Sequence, residues 1–189
     1  MSKVLAILGE LSDRDIDWML SIGQHQQILA GTTLIYEGQA IDALYIVLDG
    51  TLSVSAAALG GREIGTITAG EVLGEMSFVD GRLPSASVVA LQDSLVLSIP
   101  RPQLMDKLEQ DVLFSLRFYR AITKFLSTRL RGTVTRFGEE THLHPEANQS
   151  DLSSAGLEPQ EVTQSRFEEL MARLKGTEFQ SETDMKGGA

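Results

Sequence analysis

The sequence predicts a mainly β domain of eight short strands, a roll or barrel, with helices before and after it. Three observations predict it. From Gln26 to Ile99, short runs rich in β-branched and apolar residues recur at close, regular spacing. Glycines separate them at Gly31, Gly38, Gly60-Gly61, Gly70, Gly74 and Gly81, and Asp49-Gly50 is a strong hairpin signal. On both flanks the apolar residues return at helical spacing instead.

Each element has its own warrant. Residues 2–9, with Val4, Leu5, Ile7 and Leu8, read as a short helix or a packed arm. Ser12-Asp13-Arg14-Asp15 is a helix start, with Ser12 as N-cap and acids in the first turn. Ile16, Met19, Leu20 and Ile22 follow, and Gly23 ends the helix. Trp18 is expected to anchor this helix on the roll. The predicted strands are Gln27–Leu29, Thr33–Tyr36, Ala43–Leu48, Thr51–Ala56, Glu63–Ile67, Val72–Leu73, Ser87–Ala90 and Ser94–Ile99. Eight short strands at this spacing indicate an all-β roll or barrel. After Pro100, Leu104, Met105 and Leu108 mark a short helix over Arg101–Glu109. A longer helix follows over Gln110–Arg131. Its apolar residues, from Val112 through Phe114, Phe118 and Phe125 to Leu130, cover more than one face. Such breadth predicts packing on the roll and on a second copy of the chain. The phenylalanines at 78, 114, 118 and 125 are expected in the core or the dimer seam. Three segments result: an N-terminal helical segment 1–25, the roll with its C-terminal helices 26–131, and an acidic, mostly disordered tail 132–189. Within that tail, Phe167, Leu170, Met171 and Leu174 have the spacing of one or two amphipathic turns.

Composition narrows the function. The chain has 189 residues, 42% hydrophobic and 22% charged, so it can bury a core without staples. It has no cysteine, which excludes a disulfide framework, a thiolate zinc site and a thiol nucleophile. No apolar run reaches the ~18 residues of a membrane span, and the N-terminus lacks the pattern of a signal peptide. A cytoplasmic protein is expected. Net charge is −10, with 11 basic against 15 acidic residues over 1–131 and 5 against 11 over 132–189. That balance disfavours a polyanionic partner. The stripe Arg117, Arg120, Lys124, Arg129 and Arg131 is expected to be a solvated helix face rather than a DNA contact. No nucleophile elbow, P-loop or acid pair is present, so no enzyme is expected. His142-Leu143-His144 with Glu146 has metal-ligand residue types, but it lies in a polar stretch beyond the strands, and no metal site is expected.

The chemistry sits in Val72–Ala90. Gly74 leads into a predicted helical turn, Glu75–Phe78, whose unpaired main-chain N–H groups suit an anion. Pro84-Ser85-Ala86-Ser87 then offers two hydroxyls among small residues, which admit close approach of a ligand. Each feature also has a plainer account. Glu75 can be a first-turn acid, Gly74 a turn residue, Ser85 and Ser87 local caps, and Arg82 a solvated loop charge.

Three stretches together resemble the cyclic nucleotide-binding domain family, as found in catabolite activator proteins and in regulatory subunits of cyclic-nucleotide-dependent kinases. They are Gly31…Leu34-Ile35-Tyr36-Glu37-Gly38, Leu44-Tyr45-Ile46-Val47-Leu48-Asp49-Gly50, and the Gly74-Glu75 cassette ending in Ser85-Ala86-Ser87. The resemblance covers residues 12–131 and implies an eight-stranded jelly-roll β-barrel. It implies that Glu75 accepts from a ribose 2′-hydroxyl, that the N–H groups of Glu75, Met76 and Ser77 after Gly74 cradle a phosphate, and that Ser85 and Ala86 donate to it. Arg129 and Thr133 fall where the terminal helix covers the base. The family's phosphate-pairing arginine stands just before the small pair, and here that position is Pro84. Arg82, two residues upstream, is the one substitute within the cassette. Family transcription factors carry a helix-turn-helix unit after the long helix, and the 58 polar, acidic residues 132–189 do not have that pattern. The expected function is a ligand-sensing module with no further cofactor and no DNA or membrane partner. It signals through its last helix to an unknown protein as a homodimer. The competing expectations are an orphan roll that no longer takes a cyclic nucleotide and a cupin-like metal enzyme.

Overall fold

A computed structural model describes residues 9–140, 168–169 and 171–176, with side chains up to residue 134 in the long helix. Residues 2–8, the His142–Glu146 motif, Phe167 and Leu170 lie outside the described residues.

Helix α1 (Asp13–Ile22) starts as the sequence predicts. Asp15 Oδ2 accepts from the Ser12 N–H at 2.8 Å, and the Asp15 N–H donates back to Ser12 Oγ, a reciprocal capping box. It ends at Gly23, where a side chain would meet Leu97 Cδ1 at 2.7 Å. Eight strands follow: β1 (Gln24–Ile28), β2 (Thr33–Ile35), β3 (Ala43–Asp49), β4 (Thr51–Ala56), β5 (Arg62–Thr68), β6 (Val72–Leu73), β7 (Ser87–Ala90) and β8 (Ser94–Pro100). Helix α2 (Glu75–Asp80) interrupts them between β6 and β7. Helices α3 (Arg101–Gln110) and α4 (Val112–Glu140) close the order, so the long helix runs nine residues past the expected Arg131.

The strands form two antiparallel sheets, β1-β8-β3-β6 and β2-β7-β4-β5. The expected barrel is therefore an open roll. Strand β6 has two residues and pairs with β3 only at Tyr45 and Ile46, so the ladder stops there instead of closing. Two apolar layers explain the residue pattern. Ile35, Val47, Leu52, Val54, Leu73 and Val88 fill the space between the sheets. Leu44, Ile46, Leu48 and Leu97 face the helices on the other side of β3 and β8. Strand β3 is thus covered on both faces and reads as a continuous apolar run, whereas β4 alternates Leu52, Val54 and Ala56 inward with Thr51, Ser53 and Ser55 less buried. Asp49-Gly50 makes the β3–β4 turn. Gly50 has φ +97°, and a Cβ there would sit 2.1 Å from Ser94 Oγ.

Helix α4 buries Phe114, Phe118, Ala121, Ile122 and Phe125 against this second layer. Asp111 caps it, accepting from the Phe114 N–H at 2.9 Å. Trp18 packs edge-on against Phe114 of α4 with ring centroids 5.3 Å apart, within the apolar layer that includes Leu44, Ile46 and Leu97 of the strands. The basic stripe is not simply a solvated face. Arg117 binds Asp15 through two hydrogen bonds, Arg120 and Lys124 pair with Glu10, and Arg129 pairs with Glu75. Residues 171–176 are helical, as the spacing of Met171 and Leu174 predicts, and dock on the helical layer. Met171 and Leu174 join its core, His25 Nε2 donates to the Leu174 carbonyl at 2.6 Å, and Arg173 pairs with Asp13 and Asp17. Among the described residues no helix is long and apolar enough to cross a membrane.

Candidate functional site

The site is built where β6 hands over to α2. Gly74 has φ +84°, a conformation that L side chains rarely hold, and a Cβ would meet Ile41 Cδ1 at 2.6 Å. This turn brings Glu75 back under the roll, 3% exposed. Gly81, also at positive φ, ends the helix with its N–H on the Ser77 carbonyl. Arg101 holds α2 from outside the motif. Its Nη2 donates to the Ser77 carbonyl at 3.0 Å, and its guanidinium lies 4.5 Å from the centre of the Phe78 ring. Two hydrogen bonds pin the following loop to the β2–β3 connection. The Gly38 N–H donates to the Pro84 carbonyl at 2.9 Å, and the Glu37 N–H donates to Ser87 Oγ at 3.0 Å.

Between α2, this loop and the inner faces of the strands lies an open cavity of about 340 Å³. Of the residues singled out in the sequence, Gly74, Glu75, Met76, Ser77, Arg82, Ser85, Ala86 and Arg129 line it. Ser87 and Thr133 do not. Ser87 serves Glu37, and Thr133 Oγ1 donates to the Arg129 carbonyl at 2.9 Å within α4. The sequence reading missed the apolar wall of Ile35, Val54, Ile64, Leu73 and Val88. The alternation of β4 and β7 carries that signal, since every second residue must point between the sheets. It also missed Asp80 and Leu83 at the mouth.

The electrostatics are set by two ion pairs. Arg129 Nη1 lies 2.6 Å from Glu75 Oε1, which ties α4 to the cavity wall. Burial pushes the Glu75 carboxyl above the ordinary carboxylate range, and the charge and hydrogen bond of Arg129 draw it part of the way back. Arg82 turns outward. Its side chain is 86% exposed, with Nε 3.9 Å from Asp80 Oδ2 and its N–H on Asp80 Oδ1 at 3.0 Å. The guanidinium therefore does not occupy the place left empty by Pro84. Among the described residues no group of three His, Asp or Glu side chains is placed to hold a metal.

The stretch 25–111, which carries this αL glycine, buried acid and short helix, matches a known family. That stretch is a cyclic nucleotide-binding domain. This cyclic nucleotide-binding domain is 34% identical over 93 residues to the Cyclic AMP receptor protein of Thermus thermophilus, covering 48% of this chain and 43% of that one. It is 27% identical over 120 residues to an uncharacterized NTE family protein of Mycobacterium tuberculosis, covering 64% of this chain and 20% of that one. The chain spans less than half the length of these curated relatives. Its fold is that of a cyclic nucleotide-binding domain from Methylobacillus flagellatus. The TM-score is 0.66 at 24% identity, over 76% of this chain and 85% of that one.

Proposed function

We propose that residues 26–131 form a non-enzymatic, cytoplasmic sensor. It takes a cyclic nucleotide, or a related small anion, into the cavity beside α2 and passes its occupancy to α4. The observation that carries this reading is the Glu75–Arg129 pair: the one buried acid lining the cavity is bonded to the terminal helix. A ligand hydroxyl that shares Glu75 alters the position α4 prefers, and such coupling needs different affinities in two helix positions. In this reading Glu75 accepts from the ribose, the main-chain N–H groups of Glu75, Met76 and Ser77 with Ser85 and Ala86 hold the phosphate, and Arg129 flanks the base. Without an arginine at position 84, affinity is lower than in arginine-bearing relatives by about 10–150-fold, the equivalent of about 1.5–3 kcal/mol.

The outer face of α4 supports a homodimer. Val112, Leu113, Leu116, Leu130 and Val134 are each more than 60% exposed, a stripe that a second copy can cover. Calorimetry with cyclic AMP and cyclic GMP tests the sensor. The expected result is saturable heat with at least one of them, lost in Glu75→Ala. No heat from either at millimolar concentration rejects it. The second reading, an orphan roll acting through protein contacts alone, is favoured by Pro84. It predicts that neither nucleotide moves the melting temperature.

A further inference from the structure

The charge carried by the cavity walls points to a narrower ligand class. We infer that the cavity recognises base and ribose and gains almost nothing from a phosphate, so an uncharged nucleoside binds as tightly as the corresponding cyclic nucleotide. This rests on the sensor reading above and goes further than it.

Among the described residues, four charged residues line the cavity, Glu75, Asp80, Arg82 and Arg129, and their charges cancel. Arg129 is held 2.6 Å from Glu75, whose carboxylate is 3% exposed. Turning Arg129 toward a phosphate strands that buried carboxylate without its cation. Arg82 lies in solvent beside Asp80, which also lines the cavity, so drawing the arginine inward separates it from its acid. Position 84, just before Ser85-Ala86, is proline, which has neither a side-chain donor nor an N–H. Its carbonyl accepts from the Gly38 N–H, so this stretch of main chain is not free to shift. The donors that remain are hydroxyls and main-chain N–H groups. They serve a sugar oxygen as well as a phosphate oxygen. An anion entering here loses its hydration and meets no unpaired cation among the described lining residues in return. The net charge of −10 adds a weak repulsion.

What the cavity does offer suits a nucleoside. Ile35, Val54, Leu73 and Val88 make an apolar wall for a flat heterocycle. Glu75, an acceptor with about four lone-pair sites, can keep Arg129 and still accept a ribose hydroxyl. The volume of about 340 Å³ is that of a small-molecule site.

Calorimetry on the native chain compares adenosine with cyclic AMP, and guanosine with cyclic GMP, at roughly 50 and 500 mM salt. In each pair that binds, the two dissociation constants are expected within about threefold of each other and insensitive to salt, because no charge pair is formed. Pro84→Arg is expected to shift the ratio toward the cyclic nucleotide by about 10–150-fold. A native chain that binds the cyclic nucleotide ten or more times tighter than its nucleoside overturns this inference and leaves the sensor reading standing. Absence of binding by all four compounds removes both. If Pro84→Arg does not fold, the native comparison alone decides.

Discussion

Arg129→Met tests how the terminal helix is held to the roll. Arg129 sits 2.6 Å from the carboxylate of Glu75, which is 3% exposed, while the arginine side chain keeps 27% of its surface in solvent. Removing one partner of a buried ion pair costs about 3–5 kcal/mol because the other charge is left stranded. The partial exposure of Arg129 places the loss at the lower end, about 3 kcal/mol, or about 6–12 °C in melting temperature for a domain of this size. The pH dependence gives the prediction its sign. Burial raises Glu75 in the folded chain above its unfolded value even with Arg129 present. Its contribution is therefore complete below the unfolded value and is lost as pH rises through the folded one. Methionine removes the lowering influence, so the folded carboxyl moves higher still and the loss deepens with pH. Urea unfolding at about pH 8 should show the full deficit, and at about pH 5 much less of it. An equal deficit at both values, or none at the higher, refutes the assignment of Glu75 as a buried charge held by Arg129.

Four other perturbations test the frame around the site. Asp15→Asn acts in the opposite pH sense: burial alone would raise Asp15, but hydrogen bonds from Arg117 and Ser12 outweigh it and hold the carboxyl below its ordinary value. The variant should lose about 2 kcal/mol near pH 7 in urea unfolding, with the gap closing as pH falls through that depressed value. Gly74→Ala should cost about 2–4 kcal/mol by thermal unfolding, adding left-handed strain to the clash with Ile41; native stability in this variant contradicts the turn as described. Leu174→Ala, at a side chain 1% exposed, should cost about 2–5 kcal/mol, and a loss below about 0.5 kcal/mol shows that residues 171–176 do not belong to the core. Leu116→Glu, on the exposed stripe of α4, should convert the proposed dimer to a monomer in light scattering while leaving the fold intact.

What could be read from the chain divides by the range of the forces involved. The eight strands were legible because each is announced locally, by apolar alternation or by a glycine that only a turn explains. Asp49-Gly50 and Gly74 are examples, and both have positive φ. The Ser12 capping box spans four residues, Ser12 to Asp15, and was equally plain. The cavity's polar floor was legible because Gly74 to Ala86 is contiguous. Its apolar wall was not, because Ile35, Val54 and Val88 converge from three strands that only tertiary folding brings together. The basic stripe was misread for the same reason. Arg117 and Asp15 are 102 positions apart and Arg129 and Glu75 are 54 apart, so no local pattern marks them as partners. The end of α4 was placed too early because Gly132 and the polar residues after it carry the composition of a linker. Within the acidic tail, Met171 and Leu174 were legible as an amphipathic turn by their spacing, but their place in the core depends on partners more than 100 residues away.

These ion pairs do more than add stability, because they join different layers. Arg117 binds α4 to α1, and the edge-on Trp18 and the stacked Phe114 and Phe118 rings pack at the same end of the helix. Arg129 binds it to the roll twelve residues later, about 18 Å along the axis. The cavity touches only the second tie, since Arg129 lines it and Arg117 does not. Under the proposed sensor reading, a ligand beside Glu75 would act on one end of a helix whose other end is clamped by aromatic packing and a two-point guanidinium–carboxylate contact. In that reading the helix would pivot about the buried turns that end at Phe125, with the largest displacement beyond it. A rigid translation would have to break the Arg117–Asp15 contact as well, and nothing in the cavity offsets that cost. Under the proposed sensor reading, the signal would emerge at the later turns of α4, where Leu130 and Val134 stand exposed.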